Sequence, residues 1–403
     1  MDPAEENSMA SPGGPPTTPA LPLEVVDHIL SFVPQVLEWQ STLHACSLLS
    51  RTWYSAAIGR LYERPKITGR NYDGFTKSIC PSINAHIRKN GLAELVRVLD
   101  LSLLVHHGSK SLTARLLGRV KVGLEVFVAP QASFGINALA ALSKCSRLRY
   151  LDLSLVSEAF TPKELSRTLH KLQSLKTLCF PRAGSQLCRD LLDCLPEGLR
   201  ECVVTGGLRS FGLSGIPNLG SRLPSLTRLT IGNCDQLRRD DIVWLTRKHC
   251  MPNLEYLKVE EPMAQFRDFH FGSDLLSSTG IRHLCVPVDF LHSSFWIDLD
   301  LIDLSDDGFD GYDTSNNLDT LELDFVRPPY HFLDFDRIFD SVADGPFGKL
   351  RRLNLHRTLA QELGAVAELE FLNDYLKALA REDGEGARYN EDQAGIRLFG
   401  ELS

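Results

Sequence analysis

The sequence predicts an α/β chain in which a small helical unit precedes a long solenoid of parallel strands and helices. Two observations favour this class. A three-residue aliphatic template recurs along most of the chain, and an apolar segment with helical spacing lies ahead of it. The hydrophobic fraction of 43% and the charged fraction of 23% are typical of globular chains with a sizeable core, which excludes a mostly disordered protein.

The template consists of one aliphatic residue, a second three positions later and a third two positions after that. Seven of the nine spacings between successive first positions lie between 24 and 28 residues, within the range of leucine-rich repeats. Because one repeat cannot bury its apolar side alone, neighbouring repeats stack, each with a short strand and a helix. The template occurs at Val96/Leu99/Leu101, Gly123/Val126/Val128, Leu148/Leu151/Leu153, Leu175/Leu178/Phe180, Leu199/Cys202/Val204, Leu226/Leu229/Ile231, Leu254/Leu257/Val259, Ile281/Leu284/Val286, Leu318/Leu321/Leu323 and Leu350/Leu353/Leu355.

The composition along the chain predicts five segments. The stretches between templates also predict helices at 161–172, 185–196 and 240–250. The first three segments are a disordered leader (1–20), a helical unit (21–65) and a connector (66–90). The fourth is an irregular leucine-rich-repeat solenoid of about ten repeats (91–360). The fifth is a C-terminal segment (361–403), in which a helix at 361–380 covers the open edge of the last strand and a loose tail follows.

The helical unit contains more apolar surface than one face of an isolated helix can bury. Its first helix starts at Pro22, where a missing N–H costs nothing, and ends before Pro34. A second helical run reaches Pro65. A three-helix unit of about 45 residues is small for independent stability, so we expect it to need a partner surface or the neighbouring domain.

The helical unit resembles the F-box, particularly the form found in fungal F-box proteins. The residues that carry the resemblance are Leu21-Pro22, Glu24-Val25, Ile29-Leu30, Phe32-Val33, Cys46-Ser47-Leu48-Leu49-Ser50, Trp53-Tyr54 and Leu61-Tyr62. The continuation KITGRNYDGFTKSI is similar to fungal F-box proteins as well. The order of the two modules, an F-box ahead of leucine-rich repeats, strengthens the resemblance.

The resemblance implies a role as the substrate-recognition subunit of an SCF-type cullin–RING ubiquitin ligase. Such proteins dock on the Skp adaptor, hold a protein substrate with their repeats and perform no covalent chemistry themselves. The resemblance implies adaptor-binding roles for Leu21, Pro22, Leu23, Val25, Ile29 and Leu30, and a division between adaptor contact and the unit's own core for Leu43, Cys46, Leu49 and Trp53.

Two alternatives remain open from the sequence. The helical unit could be an ordinary cap on the repeats, and the chain could be a free-standing protein-binding scaffold outside any ligase. Catalysis has no motif in its favour, since GxSxG, HExxH, P-loop and GxGxxG patterns are all absent. We therefore expect a non-catalytic protein.

An acidic stretch interrupts the repeat spacing between Phe295 and Asp344. It carries 14 carboxylates against Arg327 and Arg337, and it coincides with the longest spacing, 37 residues. One interpretation is an acidic loop that attracts a basic substrate segment. The alternative is a solvated insertion. The candidate substrate-binding residues are Asp303, Asp306, Asp307, Asp310 and Asp313.

No cofactor or metal site is expected. Cys188, Cys194 and Cys202 are six and eight residues apart, which is too far for zinc-site spacing, and an EF-hand reading of the acidic stretch places Thr314 where a bidentate glutamate is required. A net charge of −8 argues against nucleic-acid partners, and the sequence shows no membrane span. Without a secretory signal, we expect free thiols and a cytoplasmic or nuclear location.

Overall fold

The chain divides into two compact units, Met1–Pro65 and Lys66–Ser403. The structure, a computed structural model, describes residues 21–33, 39–81, 91–104, 108–182, 191, 193–205, 222–233, 239–247, 250–260, 271–272, 275–276, 279–296, 316–325, 334–343, 345–363, 366–383 and 388–400. The two units are described separately below.

The N-terminal unit contains the three helices that the sequence predicts. They are α1 (Leu23–Ser31), α2 (Trp39–Ser47) and α3 (Arg51–Glu63). The Ser50 hydroxyl caps α3 by accepting the N–H of Trp53 at 3.3 Å. Helix α3 packs against both α1 and α2. The small core between the helices consists of Val26, Leu30, Leu43, Ala56 and Ala57, with Val33, Trp39, Cys46, Trp53 and Leu61 packed against it.

The second unit contains one parallel sheet in which strand order follows chain order. In the described residues the sheet has eleven strands, and each strand pairs in parallel with the next. This topology confirms the predicted α/β solenoid. The strands are β1 (Val98–Asp100), β2 (Val126–Val128), β3 (Tyr150–Asp152), β4 (Thr177–Cys179), β5 (Glu201–Thr205), β6 (Arg228–Gly232), β7 (Tyr256–Val259), β8 (His283–Pro287), β9 (Thr320–Asp324), β10 (Arg352–His356) and β11 (Gly395–Phe399).

A ladder of apolar side chains runs across this sheet in register. The second template residue of each repeat lies opposite the second residue of the next, because parallel pairing aligns repeats of similar length. Most of these side chains are fully buried, so the core lies between the sheet and the helices. The ladder runs through Leu99, Phe127, Leu151, Leu178, Cys202, Leu229, Leu257, Leu284, Leu321, Leu353 and Ile396.

Helices connect most of the strands along one side of the sheet. The helices predicted at 161–172 and 240–250 are present, and the one at 185–196 lies largely outside the described residues. A capping box starts α8, in which the Thr161 hydroxyl and the Glu164 carboxylate each accept the other residue's backbone N–H. The helices of this unit are α4 (Tyr72–Ile79), α5 (Leu92–Leu95), α6 (Lys110–Val120), α7 (Ile136–Leu142), α8 (Pro162–Leu169), α9 (Arg239–Thr246), α10 (Phe335–Ala343), α11 (Arg357–Leu363) and α12 (Val366–Glu382).

The register of the second repeat differs from the prediction by one residue. Phe127, not Val126, pairs with Leu99 and Leu151 and is fully buried. The template there is therefore Leu124/Phe127/Ala129, and the predicted Gly123/Val126/Val128 was wrong. The segment alternates apolar residues in both registers, so local sequence alone does not choose between them.

The C-terminal segment differs from the prediction as well. The residues expected to be a loose tail contain β11, which pairs with β10 along its whole length. Helix α12 therefore connects two strands of the sheet and contacts β11, where the prediction had it covering an open edge. The template missed this strand because Gln393 occupies the position of the first aliphatic residue.

Candidate functional site

Helix α1 divides its apolar residues between two directions. Val26 and Leu30 are spaced four residues apart and enter the core of the N-terminal unit. Val25 and Ile29 share the same spacing, lie one residue earlier and remain exposed, and Phe32 follows at helical spacing with 70% of its surface exposed. We call Leu21, Val25, Ile29 and Phe32 the apolar stripe.

Contacts with α3 fix the orientation of α1. The Arg60 guanidinium of α3 forms a salt bridge of 3.0 Å with the exposed Asp27 carboxylate of α1. At the start of the helix the Val26 N–H donates to the Pro22 carbonyl at 3.1 Å. With α1 held in this way, the apolar stripe cannot turn inward without breaking the packing of Val26.

The four residues that were divided between adaptor contact and the unit's own core differ in how far they are exposed. Leu43 is buried in the core, and Cys46 and Trp53 are half-buried against it. Leu49 lies beyond the end of α2 with 66% of its surface exposed. Only Leu49 of these four is freely available to a partner.

Leu30 requires a correction. The resemblance implied that it faces the adaptor, yet it is only 2% exposed and packs in the unit's own core. The reason is helical geometry, because Leu30 lies four residues after the buried Val26 on the same face. The other predicted residues of this helix, Leu21, Pro22, Leu23, Val25 and Ile29, are exposed.

Among the described residues of the N-terminal unit, three exposed large apolar residues were missing from the predicted set: Phe32, Leu48 and Tyr54. Phe32 was detectable, since it lies three residues after Ile29 and continues the stripe by one turn. Leu48 had no comparable signal, because it is adjacent to Leu49 just past the end of α2 and either residue could have turned inward.

The exposed apolar side chains suit binding, not catalysis. Full burial of a Val, Leu, Ile or Phe side chain contributes about 1.5–3 kcal/mol, so covering a half-exposed one contributes about half of that. In the part of the chain that the structure describes, no group of three or more His, Cys, Asp or Glu is arranged to hold a metal ion. No described helix is both long and apolar enough to cross a membrane.

The second unit presents a polar row on the side of its sheet away from the apolar ladder. In strands β6 to β10 the row is Arg228, Tyr256, His283, Thr320 and Arg352, which pair in register. The Arg228 guanidinium lies over the Tyr256 ring at 3.9 Å, and the Tyr256 and His283 ring centroids are 4.7 Å apart.

His283 is held neutral within this row. Burial lowers its pKa to about 4, and Arg228 and two further arginines act in the same direction. The Glu322 carboxylate, 3.9 Å from Nε2, opposes the shift but does not outweigh burial. Glu322 also accepts hydrogen bonds from Asn354 Nδ2 at 3.0 Å and from the Cys285 thiol at 3.2 Å. Beside the row, Glu322 thus links β8, β9 and β10 through these two hydrogen bonds.

The comparisons with known proteins found similar proteins in two yeasts. No family model matches the chain. F-box protein YDR306C of Saccharomyces cerevisiae is 33% identical over 245 residues, which cover 60% of this chain but only 49% of that relative. The chain is similar to this yeast F-box protein over that span. This confirms the predicted resemblance.

A second relative matches over most of both chains. Protein pof5 of Schizosaccharomyces pombe is 24% identical over 369 residues, covering 90% of this chain and 95% of that protein. The crystal structure of the Rad7 and Elc1 complex in yeast covers 80% of this chain at 15% identity. The TM-score of this match is 0.34, too low for any conclusion about this chain.

Several predicted features lie outside the described residues. They include the acidic candidates Asp303, Asp306, Asp307, Asp310 and Asp313, whose substrate-binding role stays a prediction, and also Cys188.

The described cysteines are free thiols. Burial raises the pKa of Cys145 and of Cys179 to about 12 and raises that of Cys202 as well, so these thiols stay protonated and unreactive.

Proposed function

We propose that the chain is the substrate-recognition subunit of an SCF-type cullin–RING ubiquitin ligase. The N-terminal unit docks on a Skp-type adaptor through its apolar stripe, and the repeats hold a protein substrate. The observation that carries the proposal is the apolar stripe itself, because only two of the five large apolar residues of α1, Val26 and Leu30, lie in the unit's own core.

The proposed mechanism is positional. Binding at both ends raises the effective concentration of substrate near the transfer machinery, and other subunits perform the chemistry. This role needs no cofactor and no catalytic residue in the chain itself. We further propose that it operates in a reducing compartment, the cytoplasm or the nucleus, where buried thiols remain free.

Two features support adaptor docking over a simple cap on the repeats. The N-terminal unit, Met1–Pro65, forms a compact unit of its own. Its exposed apolar residues would be an aggregation liability if nothing covered them. The relationship to F-box protein YDR306C supports the same role.

The test is an affinity measurement between the full chain and a purified Skp-type adaptor. The variant Val25→Asp/Ile29→Asp should lose at least about 100-fold in affinity, because it would bury two unpaired carboxylates in the interface. A matched control is Val122→Asp/Ile136→Asp, which changes the same residue types at exposed positions of the second unit. The control should bind like the unchanged chain.

Circular dichroism and thermal unfolding would confirm that each variant is folded. If the folded, unchanged chain fails to bind any Skp-type adaptor, the proposal is wrong and the free-standing scaffold takes its place. Equal losses in the variant and in its control would place the adaptor-binding surface elsewhere.

A further inference from the structure

Two residues just ahead of the last strand lie against the polar row. The Tyr389 hydroxyl is 2.6 Å from the Thr320 hydroxyl of β9, and Arg352 Cζ of β10 lies 5.7 Å from the centre of the Tyr389 ring. Strand β9 is two strands away from β11, the strand that these residues lead into. The segment therefore reaches back over the sheet, and we call Arg388 and Tyr389 the strap.

A chain of polar contacts holds the strap closed. Thr320 donates its hydroxyl hydrogen to Asp319 Oδ1 at 3.0 Å, which leaves the Tyr389 hydroxyl to donate to Thr320. The Arg388 guanidinium pairs with the other oxygen of Asp319 at 2.9 Å, although 45% of the Arg388 side chain is exposed. Polar contacts at such a half-exposed position exchange with water at a small net cost, so they permit the strap to open.

The strap can move without disturbing β11, because a turn with its own hydrogen bonds separates the two. The Asn390 carbonyl accepts the N–H groups of Gln393 and Ala394 at 3.0 and 2.9 Å, and the Asn390 side-chain oxygen also accepts the Gln393 N–H at 2.9 Å. An ion pair between Arg381 of α12 and Glu391 holds the turn in place. The turn is thus a fixed end from which the strap can swing.

Three buried polar atoms beside the strap have no hydrogen-bond partner among the described residues. They are Arg352 Nε, His283 Nε2 and Asn354 Oδ1. Arg352 and His283 pair in register with Thr320 from either side, and Asn354 follows two residues after Arg352 on the same face of β10. A buried polar atom without a partner costs free energy, so a permanent cover would be expected to satisfy these atoms. A cover that opens would let a ligand satisfy them instead.

We propose that the strap is an internal stand-in for an arginine–tyrosine segment of a partner protein, which displaces the strap and takes over its contacts. The groups that receive the strap define this chemistry: a carboxylate binds a guanidinium, a hydroxyl binds a phenol, and a guanidinium lies over an aromatic ring. The partnerless donor and acceptor atoms beside the strap suit the amide groups of the incoming segment. The closed strap is therefore autoinhibitory.

Under the proposed function the displacing segment belongs to the protein substrate, and that assignment rests on the proposed function. The competition itself is measured without any adaptor, so failure here and failure of adaptor binding are distinguishable. The probe is a fluorescein-labelled peptide, Gly-Gly-Arg-Tyr-Asn-Gly-Gly, titrated with the full chain by fluorescence anisotropy. The control probe is the same peptide with alanine in place of tyrosine, and we expect it to bind more weakly.

Opening the strap should uncover the site. Arg388→Ala/Tyr389→Ala removes the contacts of the strap and should bind the probe about tenfold more tightly than the unchanged chain, because a site that is mostly covered binds in proportion to its open fraction. Tyr389→Phe removes only the phenol hydroxyl and should tighten probe binding about twofold to threefold. This milder variant keeps the test available if the double substitution does not fold.

Two further substitutions, each added to the opened variant, locate the probe. Thr320→Val removes the hydroxyl that receives the phenol and should weaken probe binding about fivefold. The matched control Thr230→Val makes the same change at a buried threonine on the same face of β6 and should leave probe binding within about twofold. Circular dichroism and thermal unfolding check that each variant is folded.

Three results would overturn the proposal. The first is probe binding by the opened variant that is no tighter than binding by the unchanged chain, which would make the strap a fixed cap. The second is equal weakening by Thr320→Val and Thr230→Val, which would place the probe elsewhere on the chain. The third is equal affinity for the tyrosine and alanine probes, which would show that the site does not recognise the phenol.

Discussion

The two units of the chain differ in how completely their apolar side chains are buried. In the second unit the ladder through Leu99, Leu151 and Leu178 is fully buried, because each repeat covers its neighbour. In the N-terminal unit Ile29 is 42% exposed although the next residue, Leu30, is 2% exposed. A repeat array completes its core from its own sequence, whereas a three-helix unit has too little chain to do so. This difference supports the proposal that the N-terminal unit binds a partner.

The largest expected effect tests the ladder and its corrected register in the second repeat. Phe127→Ala should lower the free energy of unfolding by about 3–5 kcal/mol, because it opens a cavity between two buried neighbours in the sheet. Val126→Ala, at the half-buried position next to it, should cost less than about 1 kcal/mol. Urea unfolding followed by circular dichroism measures both, and the reverse order of effects would restore the register predicted from sequence.

A smaller and more localised effect separates the adjacent residues Ile29 and Leu30. Leu30→Ala should destabilise the N-terminal unit by about 2–5 kcal/mol, since it removes a core side chain. Ile29→Ala should leave stability within about 0.5 kcal/mol and weaken adaptor binding instead. Hydrogen exchange of α1 amides reports stability, and an adaptor titration reports binding. Equal destabilisation by both substitutions would remove the distinction between core and docking residues.

The repeat architecture was predictable because its signal is long and redundant. Ten occurrences of one template located β1 to β10, and a single misplaced register at Val126 did not disturb the rest. The eleventh strand escaped because Gln393 replaces the first aliphatic residue of the template in the last described repeat. An edge repeat has one neighbour instead of two, so selection for its first aliphatic position is weaker.

The candidate site was harder to predict than the fold. A helix as apolar as α1 shows that something must cover it, but the sequence does not state which residues the chain covers itself. Leu30 and Ile29 are adjacent aliphatic residues, and only the packing of α3 beside α1 decides that Leu30 turns inward.

The smallest expected effect concerns His283, where the array buries a group that can carry charge. Its pKa of about 4 lies below the ordinary value of 6.5, so between these pH values the unfolded chain binds a proton that the folded chain does not. Folding stability should therefore fall as pH drops from about 6.5 toward 4, with His283 contributing about 1–2 kcal/mol of that loss at pH 5.

The substitution His283→Gln removes this contribution while keeping a polar side chain beside Glu322. Urea unfolding at pH 7 and pH 5 should show a smaller loss of stability for the variant than for the unchanged chain. Other titrating groups affect both chains alike, so the difference between the two losses belongs to His283. Equal losses would mean that His283 is protonated in the folded array. In that case Glu322, not burial, would govern its charge, and the polar row would hold an ion pair across β8 and β9.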